Sequence, residues 1–122
     1  MTIEDDLAGI IRDALGVPVY ARIIPPDLPD CVSVQSAGGR TISAGIRRAS
    51  DTVSIIAVNR DYQTAMSTLR TARDVLILGL PRDVDGTHYY RAVSTSDGSM
   101  RRKSRRGATY LEYTDMEVER SL

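Results

Sequence analysis

The stretch Val53-Ser54-Ile55-Ile56-Ala57-Val58 narrows the available folds more than any other part of this chain. It is almost continuously apolar, so the segment Asp51–Asn59 reads as a strand covered on both faces, as a central strand is. A helix pattern follows at once over Asp61–Leu78. Asp61 is a capping residue, and Tyr62, Ala65, Met66, Leu69, Ala72 and Leu76 recur at spacings of three and four, leaving Arg70, Arg73 and Asp74 for solvent. Gly79 and Pro81 end the helix. A buried strand that runs directly into an amphipathic helix implies layered helix and sheet.

The remaining segments fit that frame. Thr2–Leu15 reads as a first helix: Thr2 caps it with Asp5 three residues on, and Glu4, Asp5 and Asp6 occupy the first turn, where the helix dipole favours acids. Ile3, Leu7, Ile10, Ile11, Ala14 and Leu15 form its apolar face, and Gly16 stops it. Val17–Ile24 is a strand candidate, with Pro18 marking an edge or a strand start. The prolines of Pro25–Asp30 demand an extended loop. Cys31–Ser36 is a further strand. Ala37–Ser50 lacks a clear period and reads as a long connection. Asp85-Gly86 is a turn signal. Thr87–Ser96 and Ala108–Arg120 close the chain as two strands. In the last of them, alternation puts Leu111 and Tyr113 on one face and Met116 and Val118 on the other, so a bulge near Thr114–Asp115 is expected to restore a single apolar face. The expected fold is one small α+β (α/β) domain over 1–122, in the order α-β-β-β-α-β-β. Two helices pack on a mostly antiparallel or mixed sheet, and a long basic hairpin lies near the C-terminus.

Composition sets bounds on function. The 122 residues fit one domain. With no Trp and no Phe, the core must come from aliphatic residues and six Tyr, adequate for folding but favouring help from oligomerisation. The acidic opening Met1–Asp6 is unlike a signal peptide, and no apolar run approaches the ~20 residues of a membrane helix, so a soluble, non-secreted chain without a membrane partner is expected. One cysteine excludes an internal disulfide, and Cys31 with the single His88 cannot make a structural zinc site. Fifteen of the sixteen basic residues are Arg, a bias better ascribed to a GC-rich genome than to a demand for bidentate pairing at every site.

Little supports catalysis. His88 could act as a base, but beside Tyr89 and Tyr90 at a strand start it reads better as a hydrogen-bonded strand residue. Cys31 reads as a small buried hydrophobe. Gly38-Gly39-Arg40-Thr41 lacks the spacing and the Lys-Ser/Thr step of a phosphate loop. Asp83 and Asp85 lack the further ligands of a calcium loop. No catalytic residue, cofactor site or metal site is expected.

The charge pattern is more informative. Between the last two strands lies Asp97-Gly98-Ser99-Met100-Arg101-Arg102-Lys103-Ser104-Arg105-Arg106-Gly107. Arg101, Arg102, Lys103, Arg105 and Arg106 put five positive charges there, in a chain of formal net charge zero. Such a hairpin tip stays in water, contacts nucleic-acid phosphates, or docks on an acidic protein surface. The acids cluster elsewhere: Glu4, Asp5, Asp6 and Asp13 in the first helix, and Glu112, Asp115, Glu117 and Glu119 in the last strand. That segregation suits a head-to-tail contact between copies.

The order of segments also resembles a known family. An acidic N-terminal helix leads through "PPDLPDCVSV" and a Gly-Gly pair to "DTVSIIAVNRDYQTAMSTLRTARDVL", and the chain closes with "YYRAVSTSDG" and "YLEYTDMEVER". This layout resembles the small tail-terminator proteins of long-tailed phages, related to minor capsid and tail-completion families. The resemblance implies a structural virion protein with no reaction and no cofactor. It would form a hexameric ring on the head-proximal end of the tail tube, assembled in the host cytoplasm. The ring would stop tube polymerisation and offer the head-completion or connector protein a surface. The basic hairpin and Ala37–Ser50 are longer and richer in Arg than that pattern requires. Two alternatives stay open: an adaptor in the adjacent neck layer, and a nucleic-acid-binding module using residues 101–106, which in a ring would touch DNA in the lumen only weakly.

Overall fold

The computed structural model describes residues 2–25, 30–43, 45, 47–104 and 107–122. The elements are α1 (Ile3–Ala14), β1 (Val19–Ala21), β2 (Cys31–Ser43), β3 (Arg48–Asn59), α2 (Tyr62–Gly79), β4 (Arg82–Val84), β5 (Thr87–Ser104) and β6 (Gly107–Ser121). They form one mixed six-stranded sheet in the order β1-β2-β3-β6-β5-β4. β1 runs parallel to β2, and every other neighbouring pair is antiparallel.

Local chemistry sets both helix starts. The Thr2 hydroxyl accepts from the Asp5 amide while the Asp5 carboxylate accepts from the Thr2 amide, a reciprocal capping box. Asp61 caps α2 by accepting from the amide and the hydroxyl of Thr64. Asp85 and Gly86 both take positive φ (47° and 84°), as a tight β4–β5 hairpin requires. β4 is a short edge strand beyond the expected order.

Both helices lie on one face of the sheet. Leu7, Ile10 and Ile11 of α1 and Leu69, Ala72 and Leu76 of α2 pack with Val32, Val34, Val53, Ile55, Ala57, Tyr89, Met116 and Val118 of the strands. Burying each larger aliphatic side chain contributes roughly 1.5–3 kcal/mol. The opposite face carries a smaller cluster of Cys31, Ile56, Val58 and Leu111, flanked by Tyr20, Ile24 and Tyr113. Ser33 donates to the Ile23 carbonyl at 2.6 Å, which holds the segment after β1 over that cluster. β3 is therefore covered on both faces where Ile56 and Val58 lie, as its apolar run implies, whereas Ser50, Thr52 and Ser54 face away from the helices.

Three expectations need correction. Ala37–Ser50 is not an open connection: β2 and β3 pair as far as Ser43 and Arg48, with a register irregularity between Ser36 and Arg40. Ladder hydrogen bonds need no apolar alternation, so a polar, Gly-containing sequence forms this arm without a sequence signature. The bulge also falls elsewhere. β6 pairs with β3 in unbroken register, and the irregularities lie in its pairing with β5, between Tyr89 and Arg91 and between Ser94 and Ser96. β6 needs no correction of phase because Leu111 and Met116 serve two different clusters. Finally, only Val19–Ala21 of the Val17–Ile24 candidate is strand. Most of the loop expected over Pro25–Asp30 falls in 26–29, outside the described residues.

Candidate interaction surfaces

The basic tract is a continuation of the β5–β6 ladder. Pairing runs to Ser104 opposite Gly107, so Arg101, Arg102 and Lys103 belong to a strand; Arg105 and Arg106 lie outside the described residues. The ladder with β3 ends at Asn59–Tyr110, and the last pairs of the hairpin project past the sheet. Strand alternation sends Arg101 and Arg102 to opposite faces. Arg101 lies across from Tyr110, its guanidinium 5.7 Å from the ring centroid, and Tyr110 meets Tyr62 edge to face at 5.6 Å. These rings give the tract aromatic neighbours that are invisible within its own sequence.

The eight acids do not form one surface. Asp5 pairs with Arg22 at 3.0 Å, and that contact with the Thr2 hydroxyl pushes its carboxyl down to about 2. Glu4 and Asp6 are buried, whereas Asp13 is exposed at the far end of α1. In β6, Glu112 faces the helices, is buried and accepts from Ser99 at 2.6 Å. Asp115, Glu117 and Glu119 alternate on the opposite face as a stripe. Asp115 accepts from Ser54 and Ser96, and Glu117 from Ser50. Glu119 pairs with Arg48 at 2.8 Å and Arg91 at 3.0 Å, which hold its carboxyl below the usual range.

A cleft of about 570 Å³ opens between the start of α1, the middle of β2, Asp51–Val53 of β3, the start of β5 and the end of β6. Its lining includes Glu4, Asp6, Ser36, Asp51, Tyr89 and Arg120. Arg120 donates to Asp51 at 2.6 Å. Tyr89 donates to Oδ2 of Asp6, while Oδ1 of Asp6 is buried without a hydrogen-bond partner. The sequence marks Asp6 as a dipole partner and as one acid of a candidate partner surface, but it does not disclose the cleft. The available signal was its position three residues after Ile3 and four before Ile10, on the apolar side of the helix.

The sheet also has two long bare edges. Among the described residues, β1 covers β2 only at Val32–Val34, and β4 covers β5 only at Thr87–Tyr89. The outer backbone of β2 beyond Val34 and of β5 beyond Tyr89 therefore has no strand partner there.

His88 and Cys31 are kept apart. Cys31 pairs at the level of Val58, near the tip end of the sheet, and burial pushes its thiol up to about 11. His88 sits at the other end on β5, its Nδ1 2.5 Å from Asp83 and its ring against Tyr90. Among the described residues no group of His, Cys, Asp and Glu is arranged to hold a metal ion, and no helix is long and apolar enough to cross a membrane.

Neither a protein-family model nor a curated protein sequence matches the chain. Its fold is shared with a chain of the virion of a native gene transfer agent particle. The TM-score is 0.72 at 14% identity, and the match covers 98% of this chain and 95% of the other. The class defined is thus a small α+β domain with two helices on one face of a mixed sheet, a fold that also occurs in that particle.

Proposed function

We propose that this chain is a structural virion protein of a phage-like particle that assembles side by side with copies of itself. The observation that carries the reading is the pair of bare edges. β2, β3, β6 and β5 alternate in direction across the sheet. Laying the β5 edge of one copy along the β2 edge of the next therefore continues an antiparallel sheet. Isolated soluble domains avoid long open edges because they recruit other chains. The two edges differ, so the contact is heterologous, and it closes into a ring when the rotation between copies allows. The fold shared with a gene transfer agent virion chain supports the same reading, as does the sequence layout that resembles tail terminators.

The specific role we assign is that of a tail terminator. A hexameric ring caps the head-proximal end of the tail tube, stops its polymerisation and presents a face to the head-completion protein. The Arg101–Arg106 arm makes contacts outside its own subunit. A reconstruction of the assembled particle tests this: density for this chain as a ring between tube and connector is expected. Its presence one layer higher would make it a neck adaptor, and its absence would overturn the virion reading.

The Arg101–Tyr110–Tyr62 arrangement favours a second, weaker contact of the arm with DNA, since cations beside aromatic rings suit single-stranded backbone and bases. Salt-sensitive binding of a short oligonucleotide, lost when Arg101, Arg102, Arg105 and Arg106 become Ser, is the expected result. No binding by the wild type at low salt would remove this reading.

A further inference from the structure

The helix side of the sheet is left open beside α2. That helix packs mainly over β3 and β6, and past it a groove of about 310 Å³ runs along the unpaired stretch of β5. Met66 and Leu69 give it an apolar wall, and Asp97, Ser99 and Glu112 form its strand side. Asp97 is exposed and binds no cation among the described residues. Glu112, 3% exposed, accepts only from Ser99 there.

The other edge of the sheet carries a matching projection. Ser99, Glu112, Ala57, Val32 and Val19 share one row of the ladder from edge to edge, and Asp97, Thr114, Ile55, Val34 and Ala21 share another. β1 therefore stands out beyond β2 at the height where β5 is bare, while β4 covers β5 only at the opposite end. Pro18 accepts from the Val32 amide and the Arg22 amide donates to the Val34 carbonyl, so Val19 and Ala21 turn their backbone outward. Arg12 of α1 donates to the Val19 carbonyl at 2.8 Å, which holds its guanidinium at that outer edge, with no carboxylate partner among the described residues.

We infer that the groove of one copy is the seat of the α1–β1 corner of the next, with Arg12 brought against Asp97. This rests on the ring reading, in which the β5 edge of one copy meets the opposite edge of its neighbour. A ring has no rise between copies, so the edges meet row for row where the strands run along the ring axis. The projecting β1 then fills the step beside Asp97–Ser99, antiparallel to β5 because it runs with β2. α1, which packs on β1 and β2, comes alongside the neighbour's α2 and closes the groove. Charge fits on both walls. Arg12 meets the acidic strand side, and α1 carries Asp5 and exposed Asp13 toward a wall of α2 that holds Arg70 and Arg73.

The test combines sedimentation velocity and NMR on the full chain at low salt, up to millimolar concentration. Adding unlabelled chain to labelled chain should shift two separate patches, Met66 with Asp97–Ser99 and Arg12 with Val19–Ala21. Arg12→Glu and Asp97→Arg should each weaken association about tenfold. An equimolar mixture of the two should recover it, because every joint of an alternating assembly then pairs opposite charges. Asp97→Arg serves alone if Arg12→Glu does not fold. Shifts confined to one patch, wild-type association in both variants, or no association of the wild type would overturn the seat. These outcomes bear on the seat alone, and the ring reading is decided by the particle reconstruction.

Discussion

The hydroxyl of Tyr89 donates to Oδ2 of Asp6 across the junction between β5 and the first turn of α1, with both residues almost wholly buried. The contact ties the first element to one of the last. Tyr89→Phe keeps the ring but leaves both oxygens of Asp6 without a donor, and should destabilise the fold by about 1–3 kcal/mol. Urea unfolding should show a lower midpoint at unchanged slope, and a loss below 0.5 kcal/mol would show that the hydrogen bond contributes little.

The same tyrosine predicts an alkaline limit. Burial, with help from the bond to Asp6, holds its phenol well above the ordinary value near 10. A raised folded-state value means that its contribution is fully present below about pH 10. It then falls as pH rises toward the folded value, because the unfolded chain loses its proton first. Stability measured from pH 8 to 12 should decline beyond pH 10, less steeply in Tyr89→Phe. Parallel declines in the two proteins would assign the loss to other groups.

Gly98 and Tyr113 make a paired prediction. A Cβ on Gly98 would overlap the end of the Tyr113 ring, which lies across the strand on the same face. Gly98→Ala should displace that ring and cost about 1–3 kcal/mol, the range of overpacking. In the Tyr113→Ala background the same change should be nearly neutral, and additive losses in the double mutant would show that the ring is not what the new methyl meets.

What the sequence disclosed was largely local. Thr2 with Asp5, Asp61 with Thr64, and Asp85-Gly86 act within a few residues, and each forms where its chemistry indicates. The Val53–Val58 run located the central strand because both of its faces are buried there. What stayed hidden depends on pairing between distant segments. The β2–β3 arm is held by backbone hydrogen bonds that polar residues make as well as apolar ones. The cleft joins Glu4 and Asp6 to Tyr89 and Arg120, so no window of sequence contains it. The basic tract was legible as charge, but Tyr110 and Tyr62 reach it only through the ladder and the start of α2.

Leu76 and Leu78 of α2 separate core from surface two residues apart. Leu76 is fully buried, while Leu78 is 82% exposed. Leu76→Ala should cost about 2–5 kcal/mol through lost burial and a residual cavity. Leu78→Ser should change the stability of the isolated subunit by less than about 0.5 kcal/mol. Thermal unfolding of the two variants checks the contrast. Comparable losses would place Leu78 in a packed contact.

Cys31 offers a chemical probe of the second apolar cluster. It packs with Ile56, Val58 and Leu111, and burial raises its thiol to about 11. The reactive species is the thiolate, so both its small fraction at neutral pH and its burial protect it. At pH 8 a disulfide reagent should label the folded chain far more slowly than the chain in denaturant. The rate should rise with sub-denaturing urea, as expected when labelling requires the strands to open. Leu111→Ala should speed labelling by thinning the cover over the sulfur. Rapid labelling of the native wild type would mean that the segment after β1, held by Ser33 at Ile23, does not close that face of the sheet.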